Sequence, residues 1–221
     1  MDESKYVELE AKYDASALPV ADFRAVVGGL PDSAFKTVVG VDTFFSDTKK
    51  VLRFRRKRAG TDVGASDRPA LTYKCRRRVG DISDRTEIDM WLGDKATDQD
   101  VRAMMEVMGM TESFSIVKES WIYHVPDTET PDALTYGRRM QGDGIDVVFA
   151  LYDVLHMGQI HRFLEVEIER KGTIAAEWAA SRLIAWKEWV AQNFPTVGHP
   201  LNQSLYEMFA PRDRLFIPES F

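Results

Sequence analysis

Charged side chains recur at every second position in two widely separated segments of this chain. Glu8, Glu10 and Lys12 alternate with apolar residues near the start, and Glu165 and Glu167 do so late in the sequence. Residues i and i+2 of a β-strand lie roughly 6.5 Å apart on one face, so each segment predicts a strand with a charged face. Carboxylates are the hard ligands that Mg²⁺ or Mn²⁺ prefers, and Lys and Arg bind phosphate oxygens. The spacing therefore indicates a metal ion held beside a phosphate chain.

Three central segments have the same two-residue period, and two of them are wholly basic while the third is mixed. For a single strand, the ordinary interpretation is a solvated outer face. Across five strands, however, the signs segregate into basic central strands and acidic first and late strands, whereas surface charge is usually mixed. We therefore expect the charged faces to line an enclosed lumen. The three central sets are Arg53, Arg55 and Lys57; Lys74, Arg76 and Arg78; and Arg85, Glu87 and Asp89.

The pattern of elements predicts an α+β fold with an eight-stranded antiparallel sheet, curled or closed into a barrel and flanked by helices. Strand-like segments follow one another in hairpin order, and no alternating βαβ rhythm is present. The predicted helices span residues 18–30, 99–108, 174–194 and 203–209. The predicted strands span 5–13, 38–45, 50–58, 70–78, 85–91, 113–125, 145–155 and 162–170.

Composition limits the class of protein. The chain has 221 residues, a formal net charge of −6 and a single cysteine, so a general nucleic-acid binder and an internal disulfide are not expected. The start of the sequence does not resemble a signal peptide, and no run is apolar enough to predict a membrane span. We expect a soluble cytoplasmic protein, monomeric or homodimeric, without a nucleic-acid or membrane partner.

The segment Glu8-Leu9-Glu10-Ala11-Lys12 resembles the ExExK signature of the CYTH family, the triphosphate tunnel metalloenzymes. A lone ExExK is a weak signal, but further matches follow in the family's order along nearly the whole chain. These are Asp42 with Phe44-Phe45, Arg53 and Arg55, Lys74, Arg85 and Glu87, Lys118, Asp153 with Gly158, and Glu165 with Glu167.

The resemblance implies a single tunnel domain over residues 1–221, with C-terminal helices 174–209 packed on the barrel. It implies metal-dependent hydrolysis of inorganic triphosphate, thiamine triphosphate or a nucleotide, with Mg²⁺ or Mn²⁺ as the cofactor. Glu8 or Glu165 would help to take a proton from the attacking water, and Lys12 would assist. Glu8, Glu10, Asp153, Glu165 and Glu167 would hold the metal. Lys12, Arg53, Arg55, Lys74, Arg85 and Lys118 would bind the phosphates.

The sequence departs from the family at Ser120, where many members have an arginine two residues after the lysine. Arg138 or Arg139 is a possible replacement. Three alternatives to hydrolysis remain at this point. They are an adenylyl cyclase that makes cyclic AMP and pyrophosphate from ATP, a non-catalytic nucleotide or polyphosphate binder, and an RNA-binding protein that uses the basic stretches 49–58 and 74–78.

Overall fold

The computed structural model describes residues 4–47, 50–58, 69–79, 82–93, 95–127, 146–170 and 176–211. It is an α+β protein built on one large antiparallel sheet with four helices in the described ranges. The strands are β1 (Ser4–Asp14), β2 (Ala34–Ser46), β3 (Val51–Arg58), β4 (Ala70–Val79), β5 (Ile82–Trp91), β6 (Thr111–Pro126), β7 (Asp146–His156), β8 (Gln159–Arg170) and β9 (Pro200–Leu201). The helices are α1 (Val20–Val27), α2 (Asp98–Val107), α3 (Ala176–Asn193) and α4 (Leu205–Phe209).

The strands are hydrogen-bonded in the order β5-β4-β3-β2-β6-β7-β8-β1-β9. β1 has more than one partner on its second edge. It pairs with β8 from Val7↔Arg170 to Asp14↔Phe163, with β5 from Ser4↔Asp89 to Glu10↔Ser83, and with the short β9 at Lys12 and Tyr13. The first strand of the chain therefore connects the late strand β8 to β5, which stands at the opposite end of the strand order.

Alternation along the strands separates an apolar face from a polar one. On β1, Leu9, Ala11 and Tyr13 join a core with α1 and α3, while Glu10 and Lys12 lie on the other face. β8 repeats this arrangement, because its residues Leu164, Val166 and Ile168 enter the same core. The helices thus bury the apolar face of β1, β6, β7 and β8, so the intervening polar residues are directed to the opposite side of the sheet.

The other two helices cover different parts of the sheet. α2 contributes Val101 and Met105 to a second core with β2, β3 and β4. It begins at a capping box in which the Thr97 hydroxyl accepts from the Asp100 backbone and the Asp100 carboxylate accepts from the Thr97 backbone. α4 packs on an aromatic group that includes Phe44, Phe114 and Phe163.

The predicted elements recur in the structure with adjusted ends, and β9 is an addition. The predicted helix 18–30 is confined to Val20–Val27 because Pro19 precedes it and its cap is Gly28. Residues 59–68, which the sequence predicts as part of a loop, lie outside the described residues, as do Arg138 and Arg139. Within the described part of the chain, no helix is both long and apolar enough to cross a membrane.

Candidate functional site

Three glutamates from two adjacent strands form an acidic group on the polar face of the sheet. Glu10 on β1 pairs in register with Glu167 on β8, and Glu165 lies two residues before Glu167 on the same strand. One carboxylate oxygen from each of these residues lies within 4.8 Å of the other two. Glu10 and Glu165 are buried and Glu167 is partly buried. Clustered buried carboxylates repel one another unless cations lie among them, so this group has the donor chemistry and charge that suit a divalent ion.

Lys12 supplies part of the positive charge. Its ammonium lies 3.0 Å from Glu165 Oε1 and 3.8 Å from Glu10 Oε1, and the side chain is 3% exposed. Burial alone would raise the pKa of Glu165, but Lys12, Lys118 and a hydrogen bond from Tyr152 hold that pKa well below its usual range. Glu165 is therefore a stable carboxylate.

Lys118 on β6 lies between the acidic group and a basic one. Its ammonium is 4.0 Å from Glu165 Oε2 and 3.5 Å from the centre of the Tyr152 ring. Burial and the nearby Arg55, against the opposing attraction of Glu165, lower the pKa of Lys118 to about 8. Ser120, two residues along the strand, is also buried and is opposite Tyr152 in the β6–β7 register.

The basic group begins with an ion pair between neighbouring strands. Arg55 Nε and Nη2 each donate to an oxygen of Asp42, both at 2.7 Å. The Asp42 side chain is 1% exposed and that of Arg55 is 24% exposed. Burial alone would raise the pKa of Asp42, but the attraction and hydrogen bonds of Arg55, with Arg53 and Lys118, hold it below its ordinary value.

Two hydrogen bonds in series connect the polar faces of β3, β4 and β5. Arg53 Nη2 donates to the Thr72 hydroxyl at 3.2 Å, and that hydroxyl donates to Asp89 Oδ1 at 2.6 Å. The polar faces of these strands are thus connected to one another, and Arg53 also influences Asp42 electrostatically. Lys118 connects this basic group to the acidic one, because its ammonium lies 4.0 Å from Glu165 and it acts on Asp42 together with Arg55 and Arg53.

The structure does not bring Asp153 into the metal group. Both of its carboxylate oxygens accept hydrogen bonds from Arg162, at 2.6 and 2.8 Å, and Arg162 also donates to the Leu18 carbonyl. The cause is strand alternation: Tyr152 occupies the charged face, so its neighbour Asp153 lies on the opposite one. Asp153 instead helps to join β7 and β8 to the segment that precedes α1.

Some predicted site residues lie outside the part of the chain whose side chains are described. They are Glu8, Lys74, Arg85 and Glu87. Their backbone positions are defined: Glu8 is paired with Arg85 and with Glu169, and Lys74 with Glu87. These roles remain predictions.

Sequence reasoning missed Tyr152, whose hydroxyl donates to Glu165 Oε1 at 2.7 Å in a fully buried position. It also did not assign Asp42 as the partner of Arg55. Tyr152 belongs to a run from Val147 to Leu155 in which Asp153 is the one charged residue, so the pattern does not show which face each residue occupies. For Asp42, the signal was a carboxylate that is the one charged residue of the predicted strand 38–45.

Comparison with solved structures shows which fold this is. A protein from Pyrococcus horikoshii OT3 has a TM-score of 0.63 and 16% identity, with 91% of this chain and 97% of that one covered. A chain of the Schizosaccharomyces pombe Mediator head module has a TM-score of 0.53 and 12% identity, with 86% and 96% covered. A candidate adenylate cyclase from Bacillus halodurans has a TM-score of 0.52 and 13% identity, with 93% and 98% covered.

These similarities show that this α+β protein, with its large antiparallel sheet, shares its overall fold with those structures. At such low identity they establish a shared fold alone, and a fold hosts many activities. No family model matches the sequence, and no curated protein does.

Proposed function

We propose that this chain is a triphosphate tunnel metalloenzyme of the CYTH type that hydrolyses a triphosphate with Mg²⁺ or Mn²⁺. One observation carries the proposal. The carboxylates of Glu10, Glu165 and Glu167 adjoin the cations of Lys12 and Lys118 on the polar face of one sheet. A phosphate chain that chelates a divalent ion requires both kinds of group side by side.

The proposed tunnel is an eight-stranded ring. Its support is the pairing of β1 with both β8 and β5, since β5 stands at the other end of the strand order. A ring of this kind would turn one face of every strand inward. The burial of Glu10, Lys12, Asp42 and Glu165 agrees with this arrangement, because the cores under α1, α2 and α3 lie on the opposite face.

The residues present fit the proposed metal, with the acidic side chains as its ligands and the basic ones as phosphate contacts. Glu10, Glu165 and Glu167 would hold the ion, which when bound polarises phosphate oxygens and stabilises charge that develops there. Lys12, Lys118, Arg53 and Arg55 would neutralise and orient the phosphate chain, and such positioning supplies most of the rate in phosphoryl transfer. Since the pKa of Glu165 is held well below its usual range, it suits a ligand better than a proton acceptor. That leaves Glu8 as the candidate base.

Phosphate release from tripolyphosphate, with either metal, tests the proposal. We expect Glu10→Gln and Glu167→Gln to lower kcat/KM by at least about a hundredfold, since each removes a charged ligand. Glu119→Gln is the matched control, because Glu119 is an exposed carboxylate on β6 of the same sheet. Full activity in either ligand variant would contradict the proposal.

The second candidate is an adenylyl cyclase, which the similarity to the Bacillus halodurans structure favours. The same metal and phosphate groups would then serve attack by the ribose 3′-hydroxyl, with pyrophosphate as the leaving group. Product analysis after incubation with ATP separates the two, since cyclic AMP with pyrophosphate indicates the cyclase and ADP with phosphate the hydrolase. A protein that binds these compounds without forming either set of products would be a non-catalytic binder.

A further inference from the structure

Tyr152 contacts the acidic group and the basic group at once. Its side chain is fully buried, and its hydroxyl donates to Glu165 Oε1 at 2.7 Å. The Lys118 ammonium lies 3.5 Å from the centre of the same ring. The two parts of one side chain, hydroxyl and ring, therefore contact two different charged residues.

The hydroxyl restricts how Glu165 can turn. Glu165 Oε1 receives both the Tyr152 hydrogen bond and the Lys12 ammonium at 3.0 Å. With two donors on that oxygen, rotation of the carboxylate would break both contacts. The orientation of Glu165 relative to Glu10 and Glu167 is thus set partly by a residue that is not an acidic ligand.

The ring restricts Lys118 in a different way. An ammonium above an aromatic face is attracted by the ring quadrupole, most strongly where water is excluded. Here the ammonium is 3.5 Å from the ring centre but 4.0 Å from Glu165 Oε2. Because the ring accepts no proton and carries no charge, it holds Lys118 in place without neutralising it, and the positive charge stays available to an anion.

We propose that Tyr152 is a positioning residue with two separable effects: its hydroxyl orients Glu165 toward a divalent metal, and its ring holds Lys118 toward phosphate. This inference rests on the proposed function. It assigns no proton transfer to Tyr152, and the pKa of its hydroxyl is raised well above the ordinary value by burial and by Glu165.

Two variants separate the effects. Tyr152→Phe removes the hydroxyl and keeps the ring, whereas Tyr152→Leu removes both. Calorimetry on the full chain would measure Mn²⁺ binding. A second titration, with a chelator present to remove divalent metal, would measure tripolyphosphate binding alone. Tyr152→Phe should weaken Mn²⁺ binding about tenfold, as for other groups that orient a metal ligand, and change tripolyphosphate binding by less than about twofold. Tyr152→Leu should weaken Mn²⁺ binding similarly and also weaken tripolyphosphate binding about tenfold.

Tyr123→Phe is the control, because Tyr123 is a buried tyrosine of β6 in the core beneath the helices, and both affinities should stay at the wild-type value. If the wild type binds Mn²⁺ and Tyr152→Phe binds it with the same affinity, this inference is overturned while the proposed function stands. Equal losses of both ligands in the two variants would show a merely structural role and overturn it as well. A wild-type protein that binds neither ligand would overturn the proposed function, and this inference with it.

Discussion

Lys12 is the residue in which the structural and the proposed functional demands meet. It is buried against Glu165 and Glu10, where its charge offsets the repulsion among carboxylates. A bound divalent ion would meet the same need, so Lys12 and a metal stabilise the same group by the same electrostatics. The resemblance to CYTH proteins assigns Lys12 to phosphate, and both roles require it on this face of β1.

Replacing Lys12 should therefore affect the two ligands in opposite ways. In Lys12→Met, Glu165 and Glu10 lose the ammonium that lies 3.0 and 3.8 Å from their carboxylates, so Mn²⁺ should raise the melting temperature of the variant more than that of the wild type. Tripolyphosphate should raise it less, because one phosphate contact is lost. Thermal unfolding with each ligand alone measures both effects, and Lys187→Met, on α3, serves as the control. If the rises in melting temperature caused by Mn²⁺ and by tripolyphosphate both increased or both decreased in Lys12→Met, the opposite roles of Lys12 toward metal and phosphate would be contradicted.

The Asp42–Arg55 pair predicts a stability change that depends on pH. Asp42→Asn leaves Arg55 without its carboxylate and should cost about 3 kcal/mol near pH 7, as when one partner of a buried pair is removed. Arg55, with Arg53 and Lys118, holds the pKa of Asp42 below its ordinary value in the folded protein, so this stabilisation is present above about pH 4 and is lost as the pH falls through the lower folded value.

Urea unfolding of wild type and Asp42→Asn at pH 7 and at about pH 2.5 measures this dependence. We expect the gap between their unfolding free energies to narrow at the lower pH. A gap that stays constant would mean that the Asp42 charge is not what stabilises the pair.

At the scale of single elements, the contrast between β1 and β7 shows what alternation can predict. On β1, charged and apolar residues alternate strictly, so the sequence predicts the face of Glu10 and Lys12, and the structure confirms that face. On β7, most residues on both faces are apolar and buried. One face packs against α1 and α3, and the other packs against the aromatic group that contacts α4. Such a pattern does not show which face each residue occupies, so it could not test the metal role that the resemblance implied for Asp153, and Tyr152 was overlooked.

Helix α2 offers a local test of how the start of a helix is stabilised. Thr97 and Asp100 form its capping box, with the Asp100 carboxylate 2.9 Å from the Thr97 backbone nitrogen. Thr97→Ala removes the hydroxyl acceptor for the Asp100 N–H and should destabilise the protein by about 1 kcal/mol, while Thr97→Ser should cost a few tenths at most. Equilibrium urea unfolding would measure both. Equal destabilisation by Ala and Ser would show that the hydroxyl does not stabilise the helix start.

At the scale of the whole molecule, three aspects of the fold differ in how well the sequence predicts them. The strands and helices follow from local periodicity. The strand order does not, because the β1–β5 and β1–β8 pairings join segments roughly eighty and one hundred and sixty residues apart. The neutral contacts of the site, such as the ring of Tyr152 on Lys118, depend on side-chain packing that no periodic signal records.

The convergence of strands from the whole chain on one charged face has a consequence for global stability. A ligand that bridges β1, β6 and β8 binds only the folded state and stabilises it by mass action, by about 2.7 kcal/mol at a hundred times its Kd. For a chain of this size that corresponds to a rise in melting temperature of roughly 5–10 °C. We expect this rise when tripolyphosphate and Mn²⁺ are added together at saturation. Glu119→Gln should keep the rise and Glu10→Gln should lose most of it, whereas an equal rise in both would place the ligand elsewhere on the molecule.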